Sequence, residues 1–433
     1  MTARRGRGAA ARQVAGARAA RGAPPPPSRR RAKPKPAPSP AESARDYETV
    51  ALVLQGGGAL GSYQCGVYEA MHAADIRPTW FAGTSIGAIN AAILAGNAPE
   101  HRVERLRDFW RTICEPGGSY APAVAVVVRS ALAWLPASNA LAAWANTLGA
   151  LGALVQGQRG FFSPREQPPY LFSDGSAKAT SFYDTTPLRE TLERFVDFDR
   201  INEDDGVRLS VGATNVANGN FRYFDSAVER IGPAHVMASG ALPPAFPAVE
   251  VDGEHYWDGG LVSNTPLDYV LAGTPRRDSL VFQVDLWSAH GDLPKTLMEV
   301  LERQKDIQFS SRTRFGTDTV ARIQKLRNAV GELLQQVPKS RLDPDLVATL
   351  EPWICDRVFN IVHLIYQAKP YEEQFKDYAF GLGTMQEHWD AGLADMQQTL
   401  EHPPFFAKPA PEAGVVTHDV HRVAAARRRS RKK

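Results

Sequence analysis

Two short apolar runs, each followed at once by a glycine-rich turn, stand out in the first quarter of the chain. The first run, Thr49–Leu54, is uncharged and rich in branched residues, a pattern typical of a strand buried on both faces of a parallel sheet. The second run, Trp80–Ala82, is followed by a turn and then by an apolar helix pattern. Residues 62–74 between them have helical spacing, with an apolar side. We therefore predict one right-handed β-α-β unit with both turns at the carboxyl ends of adjacent strands.

The second turn places Ser85 between Gly83 and Gly87 in a G-x-S-x-G pattern. A serine at a sharp turn between a strand and a helix forms a nucleophile elbow. Glycine is needed two residues on either side, because larger side chains would clash in so tight a turn. The start of the helix also brings the positive end of its dipole to the serine. This pattern predicts that Ser85 is a nucleophile.

The first turn contains Gly56, Gly57, Gly58 and Gly61. Without Cβ atoms, the backbone N–H groups of the first three can point at the space above Ser85 and form an oxyanion hole. The same glycines satisfy G-x-G-x-x-G, so a dinucleotide-binding module is an alternative. Such a module needs an acidic residue near the end of the second strand, where this chain has the serine elbow. Acyl transfer is therefore the favoured chemistry.

Taken together, these motifs resemble those of the patatin-like phospholipases, over about residues 49–286. The resemblance rests on Gly56–Gly61, on Gly83–Gly87 and on the turn of Asp258, Gly259 and Gly260. It implies an α/β fold, a three-layer α/β/α sandwich with a mostly parallel central sheet, and a lipid ester substrate. It further implies a catalytic pair without histidine, cofactor or metal, in which Ser85 is the nucleophile and Asp258 the base. Leu60 stands where the family often has a basic residue, so we expect backbone amides alone to stabilise the oxyanion.

The residues before Asp258 support this assignment independently. Val249 and Val251 alternate as in a strand, and Asp252 and Gly253 form a hairpin turn that returns the chain to Asp258. Apolar neighbours should desolvate the carboxylate and raise its pKa from about 3.9 toward the range of a useful base.

Two other interpretations of the site remain open from the sequence. A Ser-His-Asp triad has candidates in His290, His363 and His388, which follow Asp258 in the order of the α/β-hydrolases. Only one strand precedes the elbow, however, which is unlike that fold. A patatin-like scaffold that binds lipid without catalysis is the other alternative.

Charge and composition divide the chain further. Residues 1–45 hold 12 lysines and arginines and one acid, and residues 422–433 hold seven basic residues and no acid. We expect disordered basic tails over 1–45 and 406–433, a catalytic domain over 46–290 and an α-helical extension over 291–405. The tails have the charge for peripheral contact with an anionic membrane, and no specific nucleic-acid partner is expected.

The predicted catalytic domain includes a helical insertion at about 119–160. Residues 130–158 are uncharged but too rich in alanine and glycine for a spanning helix, so this segment is either a packed helix pair or a lid for acyl chains. The start of the chain lacks an apolar signal segment. Only Cys65, Cys114 and Cys355 occur, which indicates no disulfide framework. A cytoplasmic protein, able to associate peripherally with a membrane, is expected.

Overall fold

The structure is a computed structural model that describes residues 38–115, 155–203, 207–311, 313–368 and 376–420. Most of the predicted insertion at 119–160 lies outside these ranges. So do residues 1–37 of the predicted N-terminal tail and residues 421–433 of the predicted C-terminal tail.

A mixed sheet forms the centre of the described fold. The strands are β1 Thr49–Leu54, β2 Trp80–Thr84, β3 Ser163–Pro164, β4 Tyr183–Asp184, β5 Arg208–Asn215, β6 Phe221–Asp225, β7 Val249–Val251, β8 Glu254–Asp258, β9 Ser279–Asp285, β10 Phe359–Ile365 and β11 Val415–Asp419. Nine strands of the described chain join this sheet in the order β11-β10-β9-β1-β2-β5-β8-β7, with β6 also paired to β5. The six strands from β11 to β5 run parallel, whereas β6, β7 and β8 pair antiparallel. The pair of β3 and β4 lies apart from it.

Helices and short 3₁₀ turns fill the connections. The helices are α1 Pro40–Ala44, α2 Ser62–Ala73, α3 Ile86–Ala95, α4 Arg102–Cys114, α5 Ala177–Thr180, α6 Thr186–Phe195, α7 Phe198–Asn202, α8 Pro233–Ser239, α9 Leu267–Ala272, α10 Leu297–Phe309, α11 Thr313–Gln336, α12 Pro344–Leu350 and α13 Leu382–Leu400. The 3₁₀ turns span Gly58–Gly61, Pro169–Leu171, Gly259–Leu261, Lys339–Arg341, Glu351–Trp353, Lys376–Tyr378, Pro403–Phe405 and Pro411–Ala413.

Apolar residues on both faces of β1 explain the three layers. Leu52 and Leu54 belong to the larger apolar cluster, together with residues of α2, α3, α4 and α13. Ala51 and Val53 point to the opposite face, into a second cluster with α9, against which Val320 of α11 packs. A strand with apolar side chains on both faces needs a layer of helices on each face of the sheet to bury them. The predicted α/β/α sandwich with a mostly parallel sheet is confirmed.

The C-terminal region is helical in large part, but it also adds two strands to the central sheet that the sequence analysis did not predict. Strand β10 pairs with β9, and β11 pairs with β10, both in parallel. The apolar run of β10 is too short to show a helical period, and β11 is a partly buried outer strand in a polar context. The sheet therefore crosses the boundary proposed at residue 291, and β11 lies inside the segment expected to be a disordered tail from 406.

The predicted N-terminal tail also ends earlier than residue 45. Ser39 caps α1 with a capping box, and Ala44 is buried against the main core. None of the helices in the described ranges combines the length and the apolar character needed to cross a bilayer.

Candidate active site

The turn between β2 and α3 holds Ser85 in a strained backbone conformation. Its φ is 56° and its ψ is −126°, a region that residues with a Cβ rarely adopt. A Cβ on Gly83 would overlap the carbonyl oxygen of Gly87, and one on Gly87 would overlap that of Leu54. Glycine at position 83 therefore lets the turn close on itself, and glycine at position 87 lets it approach β1, as the pattern predicted. Its apex lies at the N-terminus of α3.

Asp258 lies at the end of β8, and its side chain is 3% exposed. The carboxylate accepts a hydrogen bond from the N–H of Gly260 at 2.7 Å. The Ser85 side chain lies beside it, close enough to favour the ionised form. Burial nevertheless dominates and raises the pKa of the Asp258 carboxyl to about 6. Gly259 needs to lack a side chain, because a Cβ would lie 2.5 Å from the carbonyl oxygen of Gly212. The structure thus brings the predicted pair into contact.

The glycine loop after β1 differs in one respect from its prediction. The N–H of Gly56 donates to the carbonyl oxygen of Asn264 at 3.2 Å, so it is engaged and does not point at the space above Ser85. The predicted trio of oxyanion donors is thereby reduced to Gly57 and Gly58, whose N–H groups have no hydrogen-bond partner within the described part of the chain. A glycine pattern alone cannot show this, because the partner is more than 200 residues away. Gly61 packs against Ile86, the first residue of α3.

A cavity of about 80 Å³ lies over the serine. Its wall includes Ser85 and Asp258 together with the glycine loop, and the remainder is largely aromatic and aliphatic. The apolar lining residues are Ile86, Ile89, Phe161, Phe162, Leu242, Phe246, Trp287, Phe309, Tyr378 and Phe380. Such a lining suits an acyl chain whose carbonyl carbon sits at the serine.

No histidine of the described residues lines this cavity. His363 is buried in β10 and bonds Asp285 at 2.8 Å. His388 is buried beside the Tyr366 ring, and the backbone of His290 bonds the Ser288 side chain in an exposed loop. The three candidates for a conventional triad are therefore not part of the Ser85 site.

A family model described as "Patatin-like phospholipase" matches residues 52–271. This range covers about half of the chain and contains the glycine loop, the serine elbow and the Asp258 turn. The chain belongs to the patatin-like phospholipase family. Members of this family are lipid acyl hydrolases. A second model, described as "Patatin phospholipase", matches residues 307–412, so the C-terminal region is also a recognised part of such proteins.

Comparison with solved structures adds little to the family assignment. VipD from Legionella pneumophila matches at 15% identity with a TM-score of 0.32, covering 79% of this chain and 67% of its own. The type III effector protein ExoU matches at 13% identity with a TM-score of 0.22, covering 81% of this chain and 79% of its own. No curated protein sequence matches the chain.

Two residues that support the patatin-like site escaped the sequence analysis. Ser239 accepts a hydrogen bond from the Ser85 N–H at 3.0 Å and donates to the Gly212 carbonyl at 2.6 Å. Asn264 donates from its side chain to the Gly56 carbonyl at 3.0 Å. Neither belongs to a recognisable motif, because each acts on a backbone group that is distant in the sequence.

A buried polar network lies behind the glycine loop. The Gln55 side chain accepts from the N–H groups of Leu286 and Trp287 and donates to Thr265, which in turn bonds Asp285. Although burial would raise the pKa of the Asp285 carboxyl, contacts with His363 and other donors hold it below the ordinary value. The loop is thus connected to β9 and, through His363, to β10 of the C-terminal region.

Proposed function

We propose that this protein is a serine acyl hydrolase that cleaves carboxylic esters of lipids, of the phospholipase A or lysophospholipase type. The observation that carries the proposal is that the Ser85 side chain lies in one cavity beside a buried Asp258 carboxylate whose pKa is raised to about 6. A carboxylate with that pKa is ionised at neutral pH yet basic enough to accept a serine proton in the transition state. The apolar cavity beside the pair supports a substrate with an acyl chain.

The reaction has two balanced steps. Asp258 takes the Ser85 proton while Oγ attacks the ester carbonyl carbon, and the oxygen that becomes negative accepts from the N–H groups of Gly57 and Gly58. The C–O bond then breaks, and the leaving alcohol takes the proton from Asp258. In the second step Asp258 takes a proton from water, and the water oxygen attacks the acyl carbon. The bond between that carbon and Ser85 Oγ then breaks, the fatty acid leaves, and Asp258 returns the proton to Ser85.

The electrostatics of the elbow support this sequence. The Ser85 apex lies at the positive end of α3, which favours negative charge on the tetrahedral intermediate. Because Leu60 supplies no positive charge, backbone donors and the helix dipole carry the oxyanion. Loss of one such donor typically costs on the order of 100-fold in rate.

Hydrolysis by the purified chain tests the proposal. With p-nitrophenyl esters and phospholipid vesicles as substrates, we expect Ser85→Ala and Asp258→Asn each to lower kcat by at least about 1,000-fold while the fold is retained. Wild-type hydrolysis that survives both substitutions would contradict the assignment of the pair. A wild-type protein that binds vesicles but hydrolyses no ester would instead favour the catalytically idle lipid-binding scaffold.

Peripheral contact with an anionic membrane is a further proposal, which rests on the charge of the two tails. Binding to anionic vesicles that weakens with added salt would support it, because screening reduces attraction between exposed charges.

A further inference from the structure

The C-terminal region reaches into the candidate active site through the short turn Lys376–Tyr378. Asp377 and Tyr378 of this turn line the cavity, as does Phe380 directly after it. The backbone of the turn touches the oxyanion loop, since a Cβ on Gly58 would overlap the carbonyl oxygen of Asp377. Gly58 also has a φ of +55°, which favours glycine. The position of Gly58 therefore depends on where the turn lies.

Two successive residues of this turn form ion pairs with helix α10. The Nζ of Lys305 bonds both carboxylate oxygens of Asp377, at 2.9 and 3.0 Å. The Nζ of Lys376 bonds Asp306 at 2.8 Å and Glu302 at 3.1 Å. The turn is thus held at two successive residues.

The ion pair of Lys376 differs from an ordinary surface ion pair, because the lysine side chain is only 4% exposed. Burial alone would lower the pKa of the amine, but the carboxylates of Asp306 and Glu302 raise it above the ordinary value, so the charge is kept. The Nζ also lies 5.2 Å from the ring centre of Trp287, which lines the cavity. Removing one partner of such a group leaves an unpaired charge in a poorly solvated place.

Helix α10 is itself fixed to the glycine loop at its C-terminal end. The carbonyl oxygen of Phe309 accepts from the side chains of Gln55 and Asn264, at 3.1 and 2.8 Å. Both donors flank or contact Gly56. The helix, the loop and the turn therefore form a closed set of contacts around one side of the cavity.

We propose that the pair of Lys305 and Asp377 is a clasp that positions the turn Lys376–Tyr378 against Gly58, and so sets both the oxyanion loop and the acyl-facing wall of Tyr378 and Phe380. Lys305 and Asp377 act here as positioning residues. The proposal rests on the proposed esterase function and adds a role for the C-terminal region in it. It implies that weakening the clasp alters turnover and acyl-chain selection rather than stability alone.

Lys305→Met tests the clasp, with Lys408→Met as a matched control. Lys408 bonds Asp278 at 2.6 Å, and the exposed fractions of that pair, 37% and 13%, are close to the 30% and 13% of Lys305 and Asp377. The assay measures kcat and KM for p-nitrophenyl butyrate and decanoate, with thermal melting in parallel. We expect Lys305→Met to lower kcat about tenfold or more and to change the butyrate-to-decanoate ratio of kcat/KM, because small displacements of a site are costly in rate. Lys305→Arg should restore most of the loss.

Both Lys305→Met and the control should melt at a lower temperature than wild type. The control alone should keep the wild-type kcat and the wild-type butyrate-to-decanoate ratio of kcat/KM. If the wild type is active and the two methionine variants have the same kcat and the same butyrate-to-decanoate ratio of kcat/KM, the clasp is overturned. The proposed function would then remain intact. A wild type without esterase activity would overturn both. Should Lys305→Met fail to fold, the pair Lys305→Gln with Asp377→Asn removes both charges together, and the same kinetic change is expected.

Discussion

Among single residues, Asp258 matters most, because the proposed reaction needs a carboxylate that is kept basic. Asp258 is buried beside the Ser85 side chain and has no cationic partner among the groups that shift its pKa. An ion pair would lower the pKa of this carboxyl and reduce its value as a base. Burial without a cation does the opposite, which suits a site that works without histidine.

This environment predicts the pH dependence of the reaction. Asp258 must be ionised to accept the Ser85 proton, and its pKa is raised from 3.8 to about 6. As the pH falls through about 6 the carboxyl becomes protonated, so kcat/KM should fall about tenfold per pH unit below that value. A pH profile of a short soluble ester measures the limb directly.

Circular dichroism at each pH serves as its control, because the loss must precede acid unfolding. An acid limb near pH 4, where an ordinary carboxyl titrates, would contradict the assignment of Asp258 as the base.

Ser239 gives a second prediction at this scale. It accepts the hydrogen bond of the strained Ser85 backbone, so Ser239→Ala should let the nucleophile shift and lower kcat about tenfold or more. The free energy of unfolding should fall by about 1–2 kcal/mol, since a buried N–H loses its partner. Kinetics and chemical denaturation of the same preparation measure both effects.

Ser226→Ala is the matched control, because Ser226 accepts the Leu209 N–H at 2.9 Å in the same way. The same loss of stability with unchanged kcat is expected there. If both variants retained wild-type kcat, Ser239 would be a structural residue only.

The sequence was informative at this scale wherever a backbone constraint fixes a residue type. Gly83 and Gly87 are required by the tight elbow, and Gly259 by its contact with Gly212, so each appears in a motif. Gly56 could not be interpreted correctly, because its N–H is used by Asn264, whose position depends on the tertiary fold. Ser239 was missed for the same reason.

At the scale of elements, the predictions succeeded best around the β-α-β unit. Continuous apolar runs predicted β1 and β2 where the structure has them. The two strands are parallel neighbours in the sheet, as a β-α-β unit requires. Strand β10 and the packing of α13 on α2 were not predictable, because both depend on contacts with segments about 80 to more than 300 residues away.

The contact between α2 and α13 gives a prediction of its own. A Cβ on Gly392 would overlap the carbonyl oxygen of Tyr63, and one on Gly66 would overlap that of Trp389. The two helix backbones therefore touch, and Gly392→Ala should force them apart and lower the free energy of unfolding by about 1–3 kcal/mol. Denaturant unfolding measures this change.

Gly383→Ala in the same helix is the control. A Cβ there meets no heavy atom within 4 Å, so stability should be unchanged or slightly raised, as alanine favours a helix over glycine. Similar effects of the two alanines would contradict close packing of these helices.

At the scale of the whole molecule, the C-terminal region is not a separate appendage. Strands β10 and β11 continue the central sheet beyond β9, and the buried Asp285 of β9 bonds His363 of β10. The boundary proposed at residue 291 therefore divides one core. The charge and composition of this region did not predict the added strands, because one short apolar strand changes the average of a long, charged, helical region very little.

Truncation tests this continuity. A chain that ends at residue 290 would expose the edge of β9, leave Asp285 without its histidine partner and uncover the face of α2 that α13 covers. We expect it to be insoluble or to lack a cooperative thermal transition, as measured by light scattering and calorimetry. A soluble fragment that melts cooperatively and hydrolyses esters like the full chain would contradict the account.

The proposed function depends above all on Ser85 being a nucleophile that Asp258 activates. The most direct test is covalent labelling of the full chain by a fluorophosphonate, with the modified peptide located by mass spectrometry. We expect one adduct on Ser85, none on that peptide in Ser85→Ala, and a labelling rate at pH 7.5 that drops at least about 100-fold in Asp258→Asn. Rapid labelling of Asp258→Asn at the wild-type rate, or an adduct on another serine, would contradict it.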